Sequence, residues 1–118
     1  MLGVPRVRQA AEYYRDVLGF HLDPDQGVFQ PSTDEPDGVY AIVKRSVVWI
    51  HFQIRREAWS QIERAAYERD VYLYVEDVDT LHADLVRRGA RILTSPQQAP
   101  HGIHEMVVED LNGYRLVF

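Results

Sequence analysis

The sequence contains no cysteine. Disulfide bonds, thiolate metal sites and cysteine nucleophiles are therefore excluded, and the chain is compatible with a reducing compartment. The sequence also lacks an apolar run long enough to span a bilayer, and no basic segment followed by an apolar one opens it. We expect a cytoplasmic protein that makes no contact with a membrane.

Blocks of basic residues are absent as well. The chain has 13 Lys and Arg against 18 Asp and Glu, a net charge of −5, and both signs are scattered along it. Nucleic acid is therefore not an expected partner. The acidic surface either serves solubility alone or also favours a cationic or neutral ligand. No serine has a nucleophile-elbow setting and no glycine-rich phosphate loop follows a strand, so hydrolase and nucleotide-binding functions lack support.

Two segments carry apolar residues at helical spacing, and a glycine follows each of them. The first set is Val7, Ala10, Ala11, Tyr14, Val17 and Leu18, followed by Gly19. The second set is Val78, Leu81, Leu85 and Val86, followed by Gly89. These patterns predict two helices, each ended by its glycine.

Short apolar stretches before and after each helix predict strands. They cover residues 2–4, 20–22, 71–75 and 90–93. Two pairs of strand candidates follow: "VYAIVK" and "VVWIHFQI" meet at Arg45 and Ser46, while "HEMVVE" and "YRLVF" meet at Asn112 and Gly113. Asn-Gly favours a type I′ turn because both residues tolerate positive φ. In the Pro- and Gly-rich loop before "VYAIVK" we predict one short strand at Val28 and Phe29.

The two halves repeat the same order of elements when Val7 is laid on Val78 and Gly19 on Gly89. This order indicates an internal duplication of a strand, a helix and three strands. We predict one α+β domain over residues 1–118, with module one at 1–55, a linker at 56–69 and module two at 70–118. The linker could itself contain a short helix through Trp59, Ile62 and Ala66.

Three segments, "AAEYYRDVLGF", "VEDVDTLHADLVRRGARI" and "VVEDLNGYRLVF", are similar to the glyoxalase, bleomycin-resistance and extradiol-dioxygenase superfamily, also called vicinal oxygen chelate. Leu111 and Asn112 depart from the family's final motif but preserve its turn chemistry. The resemblance implies two βαβββ modules that form curved mixed sheets around a cavity, with the helices on the outer face. It also implies a homodimer.

In metal-dependent members of this superfamily, four His or Glu side chains hold a divalent ion. The resemblance places these positions at Trp49, Asp70 and Val117, with the fourth at or beyond the amino terminus of this chain. Indole and aliphatic side chains offer no lone pair to a cation. The resemblance therefore implies the metal-free branch, with no cofactor, no metal ligand and no catalytic residue.

Strand alternation then selects candidate ligand-binding residues. If Val71, Leu73 and Val75 pack under helices, Asp70, Tyr72 and Tyr74 face the cavity. By the same alternation Val48, Ile50 and Phe52 belong to the core, while Trp49, His51 and Gln53 face inward. The candidate set is Trp49, His51, Asp70, Tyr72, Tyr74 and Arg115, the last if it turns inward beside Val117.

We predict a protein that binds a small amphipathic or aromatic molecule between the two modules, because aromatic side chains sandwich flat ligands. One alternative is a metal-dependent lyase, isomerase or dioxygenase, or a metal-free catalyst built around His51. A second alternative is a structural or regulatory dimer without ligand. Glu105, Glu109 and Asp110 form an acidic cluster near the last hairpin, which we interpret as solvated.

Overall fold

The first unit of the chain, Met1–Gln61, packs one helix against a sheet. The computed structural model describes residues 1–23, 27–31, 36–55, 68–98, 100 and 102–118. In this unit the elements are β1 Leu2–Val4, α1 Val7–Asp16, β2 His21–Leu22, β3 Val28–Phe29, β4 Tyr40–Arg45 and β5 Val48–Ile54. The sheet runs β1-β5-β4-β2, with β3 also paired to β4, and β1 lies parallel to β5 while the other pairs are antiparallel.

The second unit, Ile62–Phe118, repeats this plan. Its elements are β6 Val71–Tyr72, α2 Val78–Arg87, β7 Arg91–Gln98, β8 His104–Glu109 and β9 Arg115–Val117. The sheet runs β6-β9-β8-β7, and its first strand again lies parallel to its last. The predicted α+β class and the two mixed sheets are therefore confirmed. The module boundaries stay a prediction, and the proposed linker helix falls outside the described residues.

Both helices begin where the sequence indicates, and α2 ends shortly before Gly89, but α1 ends at Asp16, before Val17 and Leu18 of the predicted apolar face. In α1 the side chains of Val7, Ala10, Ala11 and Tyr14 are buried. The Tyr14 ring meets Phe52 edge-on, with centroids 4.9 Å apart, and so ties the helix to β5. In α2 the carboxylate of Asp77 accepts the Thr80 N–H at 3.1 Å, the bond of an N-cap.

The glycine after α2 does what the sequence predicts. Gly89 has a φ of 84°, the left-handed conformation that L side chains avoid. The N–H of Ala90 donates to the carbonyl of Leu85 at 2.9 Å, and the N–H of Gly89 donates to Val86 at 3.1 Å. These two bonds satisfy carbonyls that the helix end leaves open.

The last hairpin turns differently from the prediction. A type I′ turn needs positive φ at both Asn112 and Gly113, but of the two only Gly113 has it, at 87°. The N–H of Gly113 donates to the carbonyl of Asp110 at 3.2 Å, and the N–H of Asp110 donates to Tyr114 at 2.8 Å. The loop therefore has three residues and closes with a left-handed glycine. The buried Asp110 Oδ1 supports it by accepting the N–H groups of Asn112 and Tyr114 at 2.8 and 2.9 Å.

Three strand boundaries also differ from prediction. The first hairpin pairs Arg45 with Val48, so its tip is Ser46 and Val47. The strand before α2 ends at Tyr72 instead of Val75. By contrast, β7 continues to Gln98, well beyond the predicted 90–93, because pairing with β8 extends through a segment that lacks regular apolar alternation. In the described part of the chain no helix is long and apolar enough to cross a membrane.

Candidate functional site

The side chains of β5 alternate between two faces of the first sheet. Ile50 and Phe52 are buried on the face that packs against α1, at 4% and 0% exposure. Trp49, His51 and Gln53 point to the opposite face, and Trp49 remains 52% exposed. The predicted parity of this strand is therefore confirmed for these five residues.

Strand β4 adds side chains to this open face. The register pairs Tyr40 with Gln53, Ile42 with His51 and Lys44 with Trp49. The ammonium of Lys44 lies 5.4 Å from the centroid of the Trp49 ring, a cation–π arrangement. The indole of Trp49 is thus solvent-exposed and already attracts a positive charge, so its face can accept a flat or cationic ligand.

His51 is held by Tyr40, a residue that the sequence prediction did not select. The Tyr40 hydroxyl forms a hydrogen bond with Nδ1 of His51, and the two rings lie 5.6 Å apart. This bond fixes the orientation of the imidazole and so the direction of its other nitrogen, Nε2. Tyr40 and His51 lie near each other because the register of β4 with β5 places alternate residues of both strands on one face. Their proximity could have been inferred from the sequence if the hairpin tip had been known.

In the second unit, Tyr72 and Tyr74 form an aromatic pair. Their ring centroids lie 5.3 Å apart and both rings are exposed, Tyr74 at 80%. The hydroxyl of Tyr72 donates a hydrogen bond to Oε2 of Glu105 on β8. This bond, together with smaller effects of burial and of the carboxylate charge, raises the pKa of Tyr72 to about 12. The sequence prediction named both tyrosines but not Glu105 as their partner.

The Tyr72–Glu105 bond predicts a titration difference. The pKa of Tyr72 lies above the ordinary value of 10, so the stabilisation from this bond is complete below about pH 10 and is lost as pH rises through about 12. At about pH 11 we expect Tyr72 to stay mostly protonated in the wild type and to ionise in Glu105→Gln. The difference in tyrosinate absorbance between each protein and its Tyr72→Phe derivative measures this. An unchanged titration of Tyr72 in Glu105→Gln would contradict the assigned cause.

The three acidic residues near the last hairpin do not act as one solvated cluster. Glu105 binds Tyr72. Glu109 is buried, and its carboxylate lies 3.5 Å from the guanidinium of Arg91. Asp110 is buried and holds the turn. The interpretation as a solvated cluster is therefore wrong for Glu109 and Asp110, because strand pairing and loop closure take both out of water.

Asp70 and Arg115 are joined through the backbone at the start of β6. The carboxylate of Asp70 accepts the Arg115 N–H at 2.8 Å, and the Asp70 N–H donates to the Arg115 carbonyl at 2.9 Å. These bonds extend the β6–β9 ladder by one residue. The Arg115 side chain lies on the same sheet face as Glu109, its partner across the strands. The structure therefore gives Asp70 a structural role, and the ligand-binding role of both residues stays a prediction.

The internal duplication changes one predicted metal position. The helices start at Val7 and Val78, so Leu2 in β1 corresponds to Leu73 after β6. In the first unit Leu2 pairs with Phe52. In the second unit Tyr72 pairs with Val117, so the next step of the same register places Leu73 opposite Phe118. Phe52 thus corresponds to Phe118.

Val117 precedes Phe118 as His51 precedes Phe52, so His51 is the equivalent of Val117. The prediction that Trp49 occupies the metal-ligand position of the first module is therefore corrected to His51. His51 and Asp70 carry donor atoms; Nδ1 of His51 bonds Tyr40, and Oδ2 of Asp70 accepts the Arg115 N–H. Val117 offers no donor. Over the residues that the structure describes, no group of three or more His, Asp or Glu side chains is placed to hold a metal ion. These residues do not fit a catalytic metal of the superfamily type.

Comparison with known proteins gives one family. The model of the Glyoxalase/Bleomycin resistance protein/Dioxygenase superfamily matches residues 1–118. No curated protein sequence matches the chain.

Solved structures share the fold. TioX from Micromonospora sp. ML1 is 22% identical, with 99% of this chain and 91% of that chain covered and a TM-score of 0.72. The bleomycin-binding protein from Streptomyces verticillus, complexed with copper(II)-bleomycin, is 22% identical, with 99% and 88% covered and a TM-score of 0.68. Lactoylglutathione lyase from Agrobacterium tumefaciens is 16% identical, with 98% and 86% covered and a TM-score of 0.65. At these identities the likeness concerns the fold alone.

Proposed function

Because the chain belongs to the glyoxalase/bleomycin resistance protein/dioxygenase superfamily, we propose that it binds a small aromatic or amphipathic molecule without a catalytic metal. The proposed ligand-binding residues are Trp49, His51, Asp70, Tyr72, Tyr74 and Arg115. The predicted cavity between the modules belongs to this proposal.

The observation that carries the proposal is the exposure of aromatic rings on strands whose neighbouring residues are buried. Trp49 is 52% exposed beside Ile50 at 4%, and Tyr72 is 41% exposed beside Leu73 at 2%. Large apolar surfaces in water are unfavourable, so such patches are often binding sites. The copper(II)-bleomycin complex of one fold neighbour shows that a protein of this fold binds a small molecule.

Charge favours a cationic or neutral ligand. The net charge of −5 attracts cations at long range, while the Lys44 ammonium beside the Trp49 ring repels a second cation at short range. A ligand with a cationic ring would compete with Lys44 for the same aromatic face. His51, oriented by Tyr40, would supply a polar contact through Nε2.

Tryptophan fluorescence tests this proposal. The chain has a second tryptophan, Trp59, so titrations with aromatic cations are made in a Trp59→Phe background. We expect the Trp49 emission to change on binding. Trp49→Ala should weaken binding, measured by calorimetry, by about 1–3 kcal/mol because stacking and apolar burial are lost together.

Gln53→Ala is the matched control, since Gln53 lies on the same strand and face but has no aromatic ring. It should leave affinity nearly unchanged. Equal losses in both variants would reject Trp49 as a stacking residue. Turnover of a substrate that a chelator abolishes, with about one metal ion per chain, would replace the proposal by the metal-dependent enzyme.

We also propose a cytoplasmic homodimer. The support is the superfamily resemblance and a linker long enough to let modules pair between chains. Light scattering at micromolar concentration should give twice the monomer mass, and monomer alone would refute the dimer. A dimer that responds to no ligand in a broad screen would favour the structural or regulatory alternative.

A further inference from the structure

Two hydrogen-bond donors lie beside the exposed ring of Trp49 on the open face of the first sheet. Lys44 is the partner of Trp49 on β4, and His51 follows Trp49 by two residues on β5, so the three side chains share one face. Diagonal neighbours on paired strands lie about 7–8 Å apart, within reach of long side chains. Lys44 and His51 can therefore contact the same group of a ligand whose ring lies on Trp49.

Lys44 supplies the first donor. It is the only lysine in the chain. Its ammonium lies 5.4 Å from the centroid of the Trp49 ring, and among the residues that the structure describes no Asp or Glu forms an ion pair with it. An ammonium carries three N–H donors and no acceptor. The group can thus donate to a ligand without breaking an ion pair.

His51 supplies the second donor, because Tyr40 decides which ring nitrogen carries the hydrogen. The Tyr40 hydroxyl bonds Nδ1. A phenol O–H is a stronger donor than the N–H of a neutral imidazole, and an unprotonated imidazole nitrogen is a stronger acceptor than a phenol oxygen, so the hydroxyl donates and Nδ1 accepts. The hydrogen of the neutral ring is then on Nε2. Since Nε2 is also a donor in the protonated ring, a ligand at this atom has to offer an acceptor.

Charge at contact distance decides between a cationic and an acceptor-bearing ligand on this face. The net charge of −5 acts from the whole surface, and salt screens it over a Debye length of about 8 Å at physiological ionic strength. The Lys44 ammonium acts on the Trp49 ring from within that distance. A cation on the ring would meet a like charge, whereas an oxygen acceptor would meet two donors.

We propose that the ligand of this face is an aromatic compound with a carbonyl oxygen, as a ketone or as a carboxylate. The oxygen accepts from Nζ of Lys44 and from Nε2 of His51, while the ring lies on Trp49. A carbonyl oxygen has two lone pairs and can accept from both donors at once. Tyr40 is a positioning residue, because it acts on the ligand through His51. This inference rests on the proposed function, since it names the class of ligand that binds at Trp49.

Three probes that share a phenyl ring test the inference: acetophenone, benzoate and benzylamine, which is a cation at neutral pH. Binding to the full chain is measured by ligand-observed NMR. We expect acetophenone and benzoate to bind about threefold to tenfold more tightly than benzylamine, because each hydrogen bond gained contributes in that range. The tighter of the two acceptors shows whether the ligand is a neutral ketone or a carboxylate.

Two substitutions should remove the donors one at a time. Lys44→Met keeps a long side chain without the charge, so it should weaken acetophenone and benzoate about threefold and strengthen benzylamine. His51→Leu should weaken the two acceptors and leave benzylamine nearly unchanged. Arg6→Met lowers the net charge equally and His82→Leu removes another imidazole; both are matched controls away from this face and should change nothing. Circular dichroism confirms that each variant is folded.

Tyr40→Phe tests the positioning role. In nitrogen NMR spectra of the imidazole rings, His51 of the wild type should carry its hydrogen on Nε2. In Tyr40→Phe the Nδ1 resonance of His51 should shift, because that atom loses its hydrogen bond. Acetophenone and benzoate should also bind more weakly to this variant, and benzylamine should not. An unchanged Nδ1 resonance would contradict the role of Tyr40.

Tighter binding of benzylamine than of both acceptors, equal responses of all probes to Lys44→Met, or no binding of either acceptor at millimolar concentration would overturn the inference. The proposed function can fail separately. If acetone and acetate bind with the same dependence on Lys44 and His51 while Trp49→Ala has no effect, the two donors are assigned correctly and aromatic binding is wrong. If Trp49→Ala weakens all three aromatic probes while Lys44→Met and His51→Leu have no effect, the inference alone is wrong.

Discussion

Replacing Phe52 by alanine should destabilise the protein by about 3–5 kcal/mol. Phe52 is 0% exposed, and its ring lies edge-on to Tyr14 of α1 at 4.9 Å. Its strand, β5, is paired on both sides, by β1 and by β4, so the surrounding backbone has little freedom to collapse into the cavity that the substitution leaves. Urea unfolding followed by circular dichroism measures the loss as a shift of the midpoint.

Gln53→Ala provides the contrast at the next position of the same strand. Gln53 is exposed on the opposite face, so its truncation should change the free energy of unfolding by no more than about 0.5 kcal/mol. The two results together test strand parity in solution. Similar losses at Phe52 and Gln53 would mean that β5 does not have one buried and one open face.

Replacing Gly38 by alanine should destabilise the protein by about 2–5 kcal/mol. Gly38 is buried and has a φ of 76°, a conformation that costs an L residue about 1–2 kcal/mol. A Cβ here would lie 2.4 Å from Cγ1 of Val28 and 3.0 Å from the carbonyl oxygen of Phe29. Val28 is β-branched and Phe29 contributes backbone, so neither can move aside at small cost, and overpacking adds about 1–3 kcal/mol.

Gly89→Ala separates the two causes. Gly89 has a φ of 84°, but a Cβ there would meet nothing within 4 Å. This variant should therefore show only the conformational cost of about 1–2 kcal/mol. Thermal unfolding measures the stability loss of each variant. The loss in Gly38→Ala beyond that in Gly89→Ala is the cost of the steric overlap with Val28 and Phe29. If the two variants lose the same stability, the approach of Val28 to Gly38 contributes nothing.

Gly38 also matters for the open face of the first sheet. The backbone N–H of Val39 donates to Phe29 at 2.9 Å, and β3 then pairs Phe29 with Tyr40. Tyr40 in turn orients His51. A shift of β3 in Gly38→Ala should therefore reach the proposed binding residues through Tyr40, although Gly38 is not one of them.

Part of the proposed site follows from sequence and part does not. Trp49 and His51 could be placed on one face because alternation along a strand needs only the strand itself. The positions of Lys44 beside Trp49 and of Tyr40 near His51 follow from the register of β4 with β5. The hairpin tip at Ser46 and Val47 determines that register. The assignment of Trp49 to a metal position was wrong for the same reason, since register and not order along the chain makes His51 the equivalent of Val117.

The sequence by itself determined the features whose causes lie within a few residues. Helical spacing and a following glycine located α1 and α2, because the partners in a helix are three or four residues apart. Alternation identified the buried and open faces of β5. Repetition of these local patterns indicated the internal duplication, and the superfamily was indicated by the resemblance of three sequence segments on that frame.

Only the tertiary structure decided what depends on residues far apart in the chain. The bond from Tyr72 to Glu105 spans 33 positions, and the Asp70–Arg115 bridge spans 45. Strand β7 pairs irregularly with β8, with register shifts between Ile92 and Thr94 and between Thr94 and Gln97, and it continues through Pro96. A bulge leaves no periodic signal, and the pairing of distant strands is set by the packing of a whole unit, so neither could be derived from neighbouring residues.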